Sequence, residues 1–329
     1  MQKKVTINQV AEQAGVSKTT ISRFLNGRYG NMSQETKEKI AKVIKELNYR
    51  PSRQAQALKS KRSYLIGVVV ADISNMYSSL LLKGIGEILG KQGYQMIIMD
   101  AANSIEQERE LLEKLLDQGV EGIILQPSSR GAEHYDFLRE HQIPLLLVDR
   151  QTEPVQWPAV ITDNVSSVKR IMEEVLAKKY KRVIVLSEPI EDVTTREIRY
   201  QTVAEHGKAA GVAVTLHETT LDEHFKVQIM AFLSSKEKTI FFASNGRVLM
   251  ALLTALIEEK IAIPERVGVT GFDDWRMTAL IGPGITSIEQ PSRTIGRVAA
   301  DKILNALQMG GNPVEETIVP SDLQWRHSI

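Results

Sequence analysis

Apolar residues recur at helical spacing twice between Thr6 and Leu25, TINQVAEQAGVSKTTISRFL. Ile7, Val10, Ala11 and Ala14 mark one face of a first helix. Thr6 stands just before that run and Gln9 three residues on, the pattern of a capping box, in which each satisfies a free amide of the other. Gly15 ends the helix, because glycine turns left-handed without steric cost. Ser17 caps a second helix, where Ile21, Phe24 and Leu25 face one way and Lys18, Thr19, Ser22 and Arg23 the other. Asn26-Gly27 signals a turn. Ser33 then caps a third helix to about Leu47, with Ile40, Val43, Ile44 and Leu47 on one face, and Tyr49-Arg50-Pro51 stops it. Three such helices can share a small core over residues 1–49.

From Tyr64 the pattern changes. YLIGVVVAD is an apolar run short enough for a buried parallel strand. The periodicity predicts a helix at 77–92, strand 94–99, helix 105–118, strand 122–125, helix 132–141 and strands 145–148 and 160–163. The scheme restarts with helix 165–178, strand 182–186, helix 196–210, strand 212–217, helix 222–233, strand 239–243, helix 247–259 and strand 267–270. A loop, a helix over 291–307 and a closing strand near Ile318 finish the chain. Two tandem βα runs predict two doubly wound parallel sheets behind a small all-α helix-turn-helix headpiece. A ligand belongs at the carboxyl ends of those strands, in the cleft between the lobes.

Charge sharpens this division. Of 41 Lys and Arg and 40 Asp and Glu, residues 1–62 hold 14 and 4, a net +10 that leaves −9 for the rest. A basic head on an acidic body is the electrostatic form of a small polyanion-binding domain on a non-binding one. The polar face of the second helix suits a major groove, since Arg grips guanine with two bonds and Ser or Thr bonds phosphates or base edges. Ser52–Ser60, SRQAQALKS, is too short to persist as a helix alone in water. It is expected to order only against DNA and a second copy, with Leu58 as a wedge between base pairs in the minor groove. The chain has no cysteine, no signal-peptide core at MQKKVTINQV and no apolar run long enough to span a bilayer, which favours the cytoplasm.

At this point the sequence resembles the lactose-repressor/galactose-repressor (LacI/GalR) family of bacterial transcription regulators. The matching pieces are VTINQVAEQAGVSKTTISRFLNG, LNYRPSRQAQALKS, IGVVVADISNMYSSLLLKGI, VEGIIL, VGVTGFDD and ITSIEQPSRTIGRVAADKIL. The resemblance implies a homodimeric repressor on a near-palindromic operator, with Lys18, Thr19 and Arg23 aimed at bases and Thr6, Ser17, Ser22 and Asn26 at phosphates. Tyr49, Ala55, Leu58 and Lys59 complete the DNA set. It also implies a two-lobed effector domain of the periplasmic-binding-protein type over 63–329. The N-lobe would take about 63–162 plus 291–319, and the C-lobe about 163–290 plus 320–329, with 50–62 as hinge. Tetrameric members carry an extra C-terminal helical segment, so an end at Trp325–Ile329 favours a dimer.

Family effector contacts map to Asn75, Tyr77, Gln126, Arg150, Arg199, Asn245 and Asp273, with Trp275 close by; Arg196 joins the candidate set by its charge. Two departures stand out: Thr202 replaces the Gly usually found three residues after the Arg199 position, and Gly246 replaces the Asp of an Asn-Asp pair. Carboxylate and amides would hold hydroxyls while an aromatic covers a sugar face. Arg150, Arg196 and Arg199 add positive charge, which points to an anionic sugar, since Arg matches carboxylates with paired bonds. 2-Keto-3-deoxygluconate is one candidate, by similarity to known repressors of that pathway. The alternative is that Arg150 or Arg196 forms inter-lobe salt bridges. No cofactor or metal is expected, because the six histidines lack ligand spacing. Gly84, Gly86 and Gly90 read as close helix packing rather than a dinucleotide loop. An enzyme would need an acid/base constellation that the sequence does not display. A solute receptor, the rival reading, would need an export signal and would lack the basic head.

Overall fold

A computed structural model of the chain describes residues 5–30, 32–50, 62–311 and 313–329. It divides into two compact units that part between Tyr64 and Leu65. In the first unit, α1 (Ile7–Ala14), α2 (Lys18–Leu25) and α3 (Gln34–Glu46) enclose a small core. The Thr6 amide donates to Gln9 Oε1 at 2.8 Å, and the Gln9 amide donates back to Thr6 Oγ1 at 3.4 Å. Ser17 and Ser33 accept the Thr20 and Thr36 amides at 3.1 and 3.2 Å. Helices this short do not persist in isolation. Fully burying Val10, Ile21 and Ile40 supplies about 1.5–3 kcal/mol each, which makes tertiary packing the term that holds them.

The second unit contains two six-stranded sheets. The first is built from β1 (Leu65–Val70), β2 (Gln95–Asp100), β3 (Gly122–Leu125), β4 (Leu145–Val148), β5 (Ala159–Thr162) and β11 (Glu316–Val319), in the order β11-β5-β4-β3-β1-β2, all parallel. Helices α4 (Met76–Lys91) and α11 (Ser292–Met309) cover one face, and α5 (Ile105–Asp117) covers the other together with a 3-10 turn (Ala132–Tyr135) and α6 (Phe137–Glu140). A Cβ at Gly84 would lie 2.0 Å from the Arg293 carbonyl oxygen, and one at Gly296 2.2 Å from that of Leu81. These two glycines let α4 and α11 touch backbone to backbone.

The second sheet has the order β12-β10-β9-β8-β6-β7. Its strands are β6 (Arg182–Ser187), β7 (Ala213–Glu218), β8 (Thr239–Ala243), β9 (Gly268–Phe272), β10 (Thr286–Glu289) and β12 (Asp322–Gln324), with only β12 antiparallel. Helices α7 (Asn164–Ala177) and α8 (Thr194–Ala209) pack on one face, and α9 (Phe225–Phe232) and α10 (Gly246–Glu258) on the other. The chain passes between the sheets three times, after β5, β10 and β11. Asp163 joins the first and third passages, since its Oδ1 accepts from Ser167 Oγ at 3.0 Å and the Ser321 amide at 2.8 Å.

Three details differ from the sequence reading. The stretch given as loop after β9 contains β10, and the tail adds β12; TSIE and DLQ hold one apolar residue each and lack the apolar run that marks β3 and β4. The helix expected over 132–141 is a 3-10 turn followed by a single α turn. The helix expected from Asp222 begins at Phe225, because Asp222 caps the preceding turn by accepting the His224 amide at 2.8 Å.

Candidate functional site

The exposed face of α2 carries Lys18, Thr19 and Arg23, with Ser22 half-buried beside them. Ile21 is fully buried on the opposite side, so core packing fixes which side chains project outward. Thr6 and Ser17 cap α1 and α2, whose free amides favour a phosphate. Asn26 closes α2, its Nδ2 donating to the Ser22 carbonyl at 2.8 Å. Tyr49 lies against the headpiece core, and burial raises its phenol pKa. Ala55, Leu58 and Lys59 lie outside the described residues.

In the second unit the carboxyl ends of strands from both sheets surround a polar cleft of about 480 Å³, open solvent at its mouth included. Asp72 follows β1, Gln126 follows β3, and Asp149 and Arg150 follow β4. Across the cleft Glu188 follows β6, Asn245 follows β8, Asp273 follows β9 and Gln290 follows β10. Asn75 and Tyr77 come from the start of α4, Arg196 and Arg199 from α8, and Arg247 from α10. Eight of the nine residues nominated from sequence line this space. Trp275 does not. Its ring lies on Gly246, where a Cβ would come within 2.2 Å of it. The missing side chain at Gly246 admits the indole there and draws it off the cleft wall.

The arginines are not an uncompensated positive cluster. Arg196 Nη2 meets Glu188 Oε2 at 2.8 Å within the C-lobe, and Arg150 Nε lies 3.7 Å from Asp149 Oδ2 within the N-lobe. Neither pair crosses the cleft, so the alternative of inter-lobe bridges from these two residues is corrected as well. The bridges come from other arginines. Arg247 Nη1 reaches Asp72 Oδ2 at 2.7 Å, and Arg130 spans Glu153 of one lobe and Glu197 of the other, the latter at 2.7 Å.

Arg199 is fully buried. It donates to Asn164 Oδ1 at 2.7 Å, the Ser244 carbonyl at 2.6 Å and Gln290 Oε1 at 2.9 Å, and its guanidinium lies 3.6 Å above the Phe272 ring. Gln290 in turn donates to Asp273 Oδ1 at 2.5 Å, and the Gly246 amide donates to Asp273 Oδ2 at 2.9 Å. Burial lowers the Arg196 guanidinium to about 10, with Glu188 opposing the shift and Arg150 and Arg199 adding to it. Burial raises the Asp273 carboxyl and, with help from Asp149 and Asp273, lifts the Tyr77 phenol well above its ordinary range. Tyr77 Oη and Arg150 Nε are buried without a hydrogen-bond partner. A wall that alternates donors and acceptors, with these two polar atoms held only loosely by Asp149, fits a small polyhydroxylated ligand. Among the described residues no acidic or histidine cluster could hold a metal ion, and no helix is long and apolar enough to cross a membrane.

Two family models match: "Bacterial regulatory proteins, lacI family" over residues 6–52 and "Periplasmic binding protein-like domain" over 172–329. The HTH-type transcriptional regulator KdgR of Bacillus subtilis (strain 168) is 39% identical over 95% of this chain and 94% of that protein. The chain belongs to the LacI family. It is a DNA-binding transcriptional regulator of that family. The HTH-type transcriptional regulator PtxS of Pseudomonas aeruginosa is 31% identical over 99% of the chain and 96% of that protein. The lac repressor dimer bound to operator and the anti-inducer ONPF shares the fold, with a TM-score of 0.86, 23% identity and 99% of both chains covered.

Sequence reasoning missed several lining residues of this LacI-family cleft: Asp72, Asn103, Asp149, Glu188, Arg247 and Gln290. A signal was available. Five of the six follow a strand's carboxyl end by one to three residues, where ligand sites of open α/β sheets lie; Arg247 instead sits beside the cap of α10.

Proposed function

We propose that this LacI-family regulator is a homodimeric, cytoplasmic repressor of a carbohydrate-utilisation operon whose effector is a small sugar acid held between the lobes. The observation that carries the ligand class is the convergence of Arg150, Arg196 and Arg199 on one buried cleft. Arg150 Nε makes no hydrogen bond, having only the Asp149 carboxylate at 3.7 Å, and the neighbouring guanidiniums help to make the Arg196 charge costly. A ligand carboxylate entering there would relieve both through charge-assisted, forked bonds, while Asp273, Asn245 and Gln126 would take hydroxyls. 2-Keto-3-deoxygluconate is the candidate to test first. The relatives are regulators, which favours binding without chemistry on the ligand.

In this reading Lys18, Thr19 and Arg23 contact bases, Thr6, Ser17, Ser22 and Asn26 contact phosphates, and Leu58 of the hinge wedges the minor groove. The effector binds one lobe arrangement better than the other, and so changes whether two hinges can pair on the operator. The coupling is reciprocal: operator must change effector affinity by the same factor. The structural neighbour is itself a dimer on its operator, and the large exposure of Leu280 (85%) and Met277 (47%) supports a second copy here.

Isothermal titration of 2-keto-3-deoxygluconate, gluconate and the matching neutral sugars tests the ligand class. The acid is expected to bind at least tenfold tighter than any neutral sugar. Tight binding of a neutral sugar with no response to the acid would refute it. A gel shift on the promoter beside its own gene tests the operator, with retardation expected at salt that abolishes binding to unrelated DNA.

A further inference from the structure

Glu108 occupies a core-facing position of α5, one and two turns before Leu112 and Leu115, yet it is a carboxylate with 1% exposure. An ionisable group is costly there unless its oxygens are bonded. Glu108 Oε1 accepts the Tyr135 hydroxyl at 2.7 Å, and Oε2 accepts the Ser128 amide at 2.8 Å. Ser128 lies in the loop that follows β3, and Tyr135 ends the 3-10 turn just beyond it. That loop does two things at the cleft. Its Pro127 carbonyl accepts Arg150 Nη1 at 2.9 Å. Its Arg130 reaches across to Glu197 of α8 at 2.7 Å and to the Glu191 carbonyl at 3.3 Å, while also pairing with Glu153. A single buried carboxylate therefore sits behind both the effector-facing arginine and an inter-lobe strap.

We propose that Glu108, with Tyr135, is a positioning residue for effector recognition: it sets the loop Gln126–Gly131 so that Arg150 faces the ligand and Arg130 can join the lobes. Glu108 does not touch the ligand; it acts through the Ser128 amide and the Pro127 carbonyl. The proposal rests on the cleft being the effector site.

The test separates positioning from plain stability. Glu108→Leu alone orphans the Ser128 amide and leaves the Tyr135 hydroxyl only its long contacts to the Ser129 amide and carbonyl, each at 3.3 Å, and should destabilise. Combining it with Tyr135→Phe removes the second buried polar side chain, which offsets part of that loss, but the Ser128 and Ser129 amides then have no side-chain acceptor. In the full-length double variant, thermal stability is expected to return part of the way to wild type from that of Glu108→Leu alone. Its affinity for 2-keto-3-deoxygluconate should stay at least tenfold weaker, and amides 128, 129 and 131 should exchange with deuterium at least tenfold faster. Recovery of wild-type affinity and protection together with stability would overturn the proposal, as would wild-type exchange in a variant that stays destabilised. If the wild-type protein binds no sugar acid at all, the effector reading fails by itself, and the exchange measurement, which needs no ligand, still decides whether Glu108 holds the loop.

Discussion

Replacing Gly246 by alanine sets two effects of opposite sign against each other. Gly246 opens α10, and its φ does not lie in the left-handed region. On backbone grounds alone, Gly→Ala in a helix stabilises by roughly 0.5–1 kcal/mol. The surroundings say otherwise. The new Cβ would lie 2.2 Å from Trp275 Cη2, 2.3 Å from Cζ2 and 2.8 Å from Asp273 Cβ. Favourable carbon contacts lie at about 3.5–4.0 Å, so the indole must withdraw by more than about 1 Å. Overpacking of this kind costs about 1–3 kcal/mol, which exceeds the propensity gain over nearly all of that range and leaves a net loss of up to about 2.5 kcal/mol. At about 2–4 °C per kcal/mol for a domain of this class, the midpoint should fall by up to about 10 °C. The Gly246 amide also holds Asp273 at the cleft, so effector affinity should drop in the same variant. Calorimetry on wild type, Gly246→Ala, Trp275→Leu and the double variant measures the coupling, expected at about 1 kcal/mol or more. If Gly246→Ala raises the midpoint, or if the two changes simply add, the packing argument is wrong.

Arg23→Ala should weaken operator binding by about 1–3 kcal/mol and relax preference at one or two base pairs, whereas Ser17→Ala should weaken all sequences alike; quantitative gel shifts on a base-substituted operator series distinguish these, and uniform weakening by Arg23→Ala would remove it from base readout. The Arg247–Asp72 bridge is partly exposed, at 40% and 20%, so Arg247→Ala should cost no more than about 1 kcal/mol of stability, yet it should open the lobes; an unchanged radius of gyration in ligand-free solution scattering would contradict that. Asp274 is 5% exposed. Burial alone would raise its carboxyl, but bonds from Arg326, the Arg276 amide and Ser287 outweigh burial and hold it below its ordinary 3.8. A carboxyl with a depressed folded pKa stabilises the fold fully above its unfolded pKa and loses that contribution as pH falls through the folded value. The difference in midpoint between wild type and Arg326→Met should therefore be largest near neutrality and shrink on acidification below 3.8; a difference constant across the acid limb would refute the assignment.

The headpiece was legible because its signals are local. Thr6 with Gln9, Ser17 with Thr20 and the left-handed Gly15 act within a few residues, and the structure shows each of them in that role. The long apolar strands β1, β6 and β8 were legible too, since strands buried on both faces read as unbroken apolar runs. The strands β10 and β12 escaped because each holds a single apolar residue and owes its conformation to pairing, β10 with β9 and β12 with β10. Trp275 shows the limit at the cleft. Its place in the sequence suggested a sugar-facing aromatic, but the bare backbone of Gly246, 29 residues earlier, offers the ring a different seat.

Sequence by itself determined the capped helix pair, which face of α2 turns outward, the basic head on an acidic body and the alternation that builds two sheets. Each of these depends on residue type and spacing along the chain. Tertiary structure alone decided how the cleft charges pair. Asp72 and Arg247 stand 175 residues apart, and Glu188 and Arg196 lie on different elements of one lobe. A carboxylate cancels an arginine's field only at contact distance and in a low dielectric. Separation in space, which no linear pattern records, therefore settled which arginines are paired and which polar atoms are left for a ligand.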